Sequence, residues 1–372
     1  MKQRTVFLMV LMICPFMLRA QKTLDNSMNP LVTGVPSLSI APDARGGGMG
    51  DVGAATTPDI NSQYWNPAKY AFMESGAGIS LSYTPWLRKL VSDMSLSYLS
   101  GYYKFGDQQA ISASLRYFSL GTVDLTDQSG NSLNSIKPAE YSIDAAYSRQ
   151  LSDKWSAAVA LRFIYSDLTG GQVPDMFPGS AVAADIATYY HSTTQADNGG
   201  DAIFGFGADI SNIGSKISYD KGNTSLFLPT NLRLGVSYQY PMDHYNSISF
   251  NVDINKLLVE PQDTMSADQY SQISPVTSIF KSFSDPNFLK RIQGSIGIEY
   301  GYNNQFFVRG GYYYESQLSG NRKYFTLGAG FMLNVFRLDV AYLIATSQSN
   351  PLDQTLRLSL GFNLAGITGL MK

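Results

Sequence analysis

The chain is short of the groups on which most catalytic and metal chemistry rests, with one cysteine and two histidines in 372 residues. Cys14 lies in "MKQRTVFLMVLMICPFMLRA", where Lys2 and Arg4 precede an apolar stretch from Val6 to Leu18 that ends near the small residue Ala20. This is the pattern of a secretory leader over residues 1–20. Ile13 and Pro15 around Cys14 do not suit a lipid-acylation site, so a mature chain starting near Gln21 carries no thiol, which excludes disulfides and thiolate-bound metal. His191 and His244 have no neighbour at metal-ligand spacing and read as turn residues. Neither a G-x-S-x-G nucleophile elbow nor a G-x-x-x-x-G-K-[ST] phosphate loop is present. Only His244 with Ser247 or Ser249 could be forced into a hydrolytic pair, so the expectation is a protein without cofactor, metal or enzymatic activity.

Charge is also scarce, at 15% of residues against a usual ~25%. Without Lys2, Arg4 and Arg19 the basic residues fall from 27 to 24 against 29 acidic ones, and no Lys/Arg block remains to attract nucleic acid. No window after the leader is long and apolar enough for a spanning helix. What the chain does have is 24 Tyr, 20 Phe and 33 Gly. A surface so poor in charge implies a covering other than water, and any membrane crossing must be made by strands.

From residue 77 onward, segments alternate with period two between turn residues, the signature of a transmembrane barrel. In "KWSAAVALRFIYSDL", Trp155, Val159, Leu161, Phe163 and Tyr165 share one face and Ser156, Ala158, Ala160, Arg162 and Ser166 the other. About fourteen such segments start near residues 77, 92, 108, 138, 154, 178, 201, 230, 245, 291, 304, 322, 336 and 353. Tight links alternate with longer ones near 121–137, 168–177, 212–229 and 258–290, as in barrels with short periplasmic turns and long outer loops. The stretch 191–200 is too long for the tight turn this register needs. A secreted β-sandwich would alternate too, but its polar face would be rich in Lys, Glu and Thr. Here the second face is Gly, Ser, Ala and Asn with about one charge per strand: Arg116, Asp144, Arg162, Asp185, Asp209, Arg233, Asp253, Glu299, Arg309, Asp339 and Arg357. An ion-pair lattice inside a lumen accounts for them, since a charge turned to lipid at mid-bilayer costs roughly 2–4 kcal/mol. Tyr102, Tyr103, Tyr240, Tyr300, Tyr302 and Tyr312 to Tyr314 suit an interfacial girdle.

"GGGMGDVG", residues 46–53, contains a literal G-x-G-x-x-G at Gly48, Gly50 and Gly53. The dinucleotide fingerprint needs a strand before it and a helix after it, and Pro42, Pro58 and Pro67 deny both. The glycines therefore read as a tight backbone path before the first strand, in a luminal plug or hatch over residues 21–76, with the barrel over 77–372. The run "VPSLSIAPDARGGGMGDVGAATTPDINSQYWNPAKYAF", residues 35–72, resembles the N-terminal signature of the PorV family, outer-membrane components of the type IX secretion system of Bacteroidetes. The residues that carry the likeness are Asp43, Arg45, Gly48, Gly50, Asp51, Gly53, Trp65, Asn66 and Pro67, and the Asn-Pro-Ala element is also similar to FadL-like fatty-acid transporters. The resemblance implies an integral protein of a Gram-negative outer membrane, a fourteen-stranded FadL-like barrel with an N-terminal segment in its lumen. It further implies docking on the giant translocon barrel, receipt of cargo through a C-terminal secretion domain, and delivery to a sortase-like surface attachment complex, amid outer-membrane lipid and lipopolysaccharide. The alternative it leaves is a FadL-like transporter of hydrophobic small molecules.

Apolar residues fall in the long outer connections: Trp86 and Leu87, Met176 and Phe177, then Phe227. In "PVTSIFKSFSDP", Val276, Ile279, Phe280 and Phe283 take helical spacing. Such residues either form a partner surface or close the mouth of the barrel by packing on one another.

Overall fold

In the computed structural model, the described residues are 28–127, 129–262, 265–346 and 352–364; the expected leader over 1–20 lies outside them. Sixteen strands are formed: β1 (Ala77–Pro85), β2 (Ser95–Lys104), β3 (Gln109–Ser119), β4 (Val123–Thr126), β5 (Ser132–Ile136), β6 (Ala139–Gln150), β7 (Trp155–Asp167), β8 (Gly179–Gln195), β9 (Asp201–Gly214), β10 (Asn231–Pro241), β11 (Asn246–Leu257), β12 (Gln293–Tyr302), β13 (Phe306–Tyr314), β14 (Lys323–Leu333), β15 (Phe336–Ala345) and β16 (Leu356–Asn363). Fourteen close into one antiparallel barrel in which each strand pairs with its sequence neighbours, β3 pairs with β6 and β16 with β1. Closure satisfies the backbone without leaving an edge, which the hydrocarbon core would not tolerate.

Every expected segment contains a barrel strand, begun within three residues of its expected start. The long link at 120–138 holds an unforeseen two-stranded hairpin, β4 with β5. The conflict at 191–200 disappears because β8 runs on to Gln195, still paired with β9, and the turn itself occupies only residues 196–200.

Alternation fixes the two faces. On β7, Val159, Leu161 and Phe163 are 53%, 68% and 51% exposed, while Ser156, Ala158, Ala160, Arg162, Ile164 and Ser166 are buried. The outward rows of all strands are similarly large and apolar, the arrangement of a wall that faces lipid. Two tyrosines depart from the expected girdle. Tyr103, Tyr300, Tyr302 and Tyr314 do face outward, but Tyr102 and Tyr313 are inward. Consecutive strand residues must point to opposite faces, so Tyr102 stacks on Tyr70 at 5.0 Å and Tyr313 on Tyr324 at 4.7 Å.

The longest link carries two helices, α3 (Ala267–Gln272), started by a capping box of Ser266 and Gln269, and α4 (Pro275–Ser282). Only the second was signalled by apolar spacing. Ahead of β1, an inner segment holds α1 (Ala44–Gly47), α2 (Ser62–Trp65) and 3-10 turns at Pro36–Ser39 and Pro67–Phe72. Its start lies among the long loops, where Asn29 N donates to Leu318 O and Gly34 N to Phe227 O. Its end lies at the short turns, where Lys104 N donates to Gly76 O, so the segment runs through the cylinder from one mouth to the other.

Candidate functional site

The lumen is built where the inner segment meets the inward face of the wall. Asp43 caps α1, accepting from Gly46 N at 2.9 Å, and its other oxygen takes the Trp65 indole N–H at 2.6 Å. Arg45, the next residue but one, uses all its N–H groups: they reach Asp59 at 2.7 Å, Glu299 at 2.9 and 3.2 Å, and the carbonyl and hydroxyl of Thr57 at 2.9 and 2.7 Å. Glu299 also takes Arg309 at 2.5 Å, Arg309 reaches Asp339 at 2.7 Å, and Arg337 closes the series on Asp339 at 2.7 Å. A second cluster joins Arg162 to Asp144 at 3.1 Å and Asp185 at 2.7 Å, with Gln63 donating to Asp144. A third pairs Arg357 with Asp51, which also accepts from the Tyr324 hydroxyl.

All eleven charges read from the sequence point inward and are buried, but four are not in ion pairs among the described residues. Asp253 accepts the backbone N–H groups of Gly53 and Ala54 at 2.8 and 2.9 Å. Arg116 donates to the carbonyls of Ser37 and Ile40 and lies over Tyr64 and Tyr98. Arg233 donates to Asn255 and to the carbonyls of Tyr64 and Trp65, against whose rings it also packs. Asp209 is buried opposite Arg233, its cross-strand partner, and is in no ion pair among the described residues.

The glycines of "GGGMGDVG" serve close approach. Gly50 has φ of 75°, and a Cβ there would lie 2.7 Å from the backbone of Tyr312. Gly48 sits on Gly328, and Gly46 and Gly53 leave room for the Trp65 ring. The wall answers with glycines of its own: a Cβ on Gly207 would lie 2.0 Å from Ala54 O, on Gly297 2.5 Å from Met49 O, and on Gly311 2.1 Å from Met49 C. Asn66 ties the segment to itself and to the wall, donating to Ala54 O and to Thr188 O of β8 while its Oδ1 caps the turn opened by Pro67.

Lys69, Asp59, Arg337 and Tyr64 were missed by the sequence reading. Lys69 is fully buried and donates to Gly53 O and Thr56 Oγ1 at 2.9 and 3.0 Å. No periodic signal could mark it, because it lies in irregular chain. Arg337 could have been found, since it shares the parity of Asp339 on β15.

The structure divides the apolar outer residues. Trp86 and Leu87 pack on Tyr313, Tyr324, Leu343 and Leu352, and Phe227 is buried with Val259 and Tyr270. Phe280 is 71% exposed, Phe283 and Val276 are exposed, and so are Met176 and Phe177, the last under the Lys221 ammonium. Ile279 is half-buried. Between the loops and the inner segment remains a cavity of about 90 Å³, lined by Tyr64, Trp65, Tyr98, Arg116, Arg233 and their neighbours.

The family model described as type IX secretion system protein PorV matches residues 22–264. The chain belongs to the PorV family. Membership makes it an outer-membrane component of type IX secretion, and with the closed barrel it makes it an integral outer-membrane protein. The fold is FadL-like. Two structures of the Pseudomonas putida toluene transporter TodX are similar to it, one at 13% identity over 90% of this chain and 98% of that one with a TM-score of 0.51, the other at 12% over 87% and 98% with a TM-score of 0.53. A Pseudomonas aeruginosa FadL homologue aligns at 11% identity over 91% and 100% with a TM-score of 0.46. No curated protein matches the chain.

Proposed function

We propose that this PorV-family barrel works by binding rather than by conducting: it docks on the giant translocon barrel, receives cargo by its C-terminal secretion domain, and passes it to the sortase-like attachment complex at the surface. In this reading residues 1–20 are removed as a leader, 21–76 act as a plug, and 77–372 form the barrel. One observation carries it. The inner segment is tied to the wall by buried ion pairs and glycine contacts and leaves a cavity of about 90 Å³, too small to hold a stretch of protein chain in transit. Binding then falls to the outer surface, where Phe177, Val276, Phe280 and Phe283 are exposed on the long-loop side. The alternative, transport of hydrophobic small molecules such as the toluene that TodX transports, needs an apolar passage, and Arg116, Arg162 and Arg233 line the space available. The test is purification of the tagged protein from its own outer membrane. Recovery with the translocon and with secreted proteins that share one C-terminal domain is expected; recovery with lipid alone would replace this reading by transport.

A further inference from the structure

Every other buried arginine of the described chain, Arg45, Arg162, Arg291, Arg309 and Arg357, has a carboxylate at ion-pair distance. Arg116 and Arg233 do not, among the described residues, and both line the cavity beneath the long loops. We infer that this cavity binds a carboxylate presented from the long-loop side, with Arg116 as its anchor.

Arg116 spends only Nη1 on the protein, leaving Nε and Nη2 without a hydrogen bond among the described residues. Its flat faces are covered, with Tyr64 and Tyr98 centred 5.1 and 5.4 Å away. What it can still offer is the in-plane edge of Nε and Nη2, a fork whose geometry matches the two oxygens of a planar carboxylate. Arg233 shares the Tyr64 ring at 4.9 Å and keeps Nη2 unused. It is the lesser contributor, because its Nε and Nη1 are already used and the buried Asp209 is its cross-strand neighbour. The acids that line the cavity, Asp51 and Asp144, are already held by Arg357 and Arg162, and the buried Glu140 on β6, although its charge acts on Arg116, forms no ion pair with it among the described residues. Access is from the outer side: Asn231, Leu257, Gln293, Tyr313 and Tyr324 in its lining stand at the long-loop ends of their strands. About 90 Å³ takes a carboxylate with the few atoms behind it, not an acyl chain. The carboxylate comes either from a free small acid or from the end of a peptide chain, and the site chemistry is the same for both.

The test is calorimetric titration of the purified full chain in detergent with sodium acetate, with a short N-acetylated peptide of uncharged side chains bearing a free C-terminus, and with the same peptide amidated. We expect saturable binding of the acid forms and none of the amide; saturation by acetate alone assigns a small acid, and tighter binding of the peptide assigns a chain end. Arg116→Gln, shown to be folded by its heat-modifiable migration, should weaken binding about tenfold or more, the loss of a charge-assisted pair. Arg116→Lys keeps the cation without the fork and should fall between; it carries the test if the Gln variant does not fold. Equal affinity for acid and amide, undiminished binding in the folded Arg116 variants, or no saturable binding by the unaltered chain would each overturn the inference.

Discussion

The inner segment meets the barrel wall in two unlike ways. Toward β9 to β14, residues Gly48 to Ala55 lie backbone against backbone on Gly205, Gly207, Gly235, Gly297, Gly311 and Gly328. Toward β2, β3 and β6, the contact is made by side chains: Asn61 with Ser100, Gln63 with Asp144, and Arg116 with the carbonyls of Ser37 and Ile40. The glycine side is a steric fit with no slack, whereas the polar side is a set of separable bonds; the cavity is lined from both, by Tyr98, Arg116 and Asp144 on one and Asn231, Gln293 and Tyr324 on the other. Position is therefore imposed by the first side.

The sharpest way to break this contrast is at two adjacent residues of β13. A Cβ on Gly311 would lie 2.1 Å from Met49 C and 2.2 Å from Gly50 N, while one on Gly310, facing outward, would meet nothing closer than 3.9 Å. Gly311→Ala should expel residues 48–55, seen as protease cleavage of the inner segment and loss of heat-modifiable migration, while Gly310→Ala should match the unaltered chain. Equal behaviour of the two would remove the steric account. On the side-chain face the effect should be graded. Arg162→Ala leaves Asp144 and Asp185 buried without their cation, a cost of ~3–5 kcal/mol, read as a lower denaturant midpoint with the barrel still able to form.

The reach of the sequence follows the same division. The fourteen strands and the inward charges were legible because lipid on one face and a closed lumen on the other impose strict alternation, which one strand displays by itself. The glycine fit was not, because Gly311 and Met49 are partners far apart in the chain, and a glycine reads alike whether it serves a turn or a close approach. Nor was the ion pairing of individual charges: alternation says that Arg116 and Arg162 share a face, but only the fold says that one finds carboxylates and the other carbonyls and rings. The burial of Phe227 under Val259 and Tyr270 likewise depends on long loops folding over the mouth, which no local pattern records.

A smaller effect should come from the joint between the two sides. Asp43 holds the start of α1 through Gly46 N and the Trp65 indole, so Asp43→Ala forfeits a cap and leaves a buried donor unpaired, ~1–2 kcal/mol together. Hydrogen exchange at residues 44–48 should quicken while the strands stay protected; unchanged exchange there would mean that the glycine fit alone holds the segment.

The smallest effect on stability should be found outside both regions, on α4. Phe280 is 71% exposed, so Phe280→Asp should leave the denaturant midpoint unchanged. If the outer helix is where a partner binds, the same substitution, made together with Phe177→Asp, should abolish recovery of cargo with the purified barrel. The comparison requires both halves of that result. Lost recovery with lost stability would trace the defect to folding, and full recovery would move the binding surface away from α4, toward the Trp86 and Leu87 loop that packs on Tyr313 and Tyr324 at the cavity's rim.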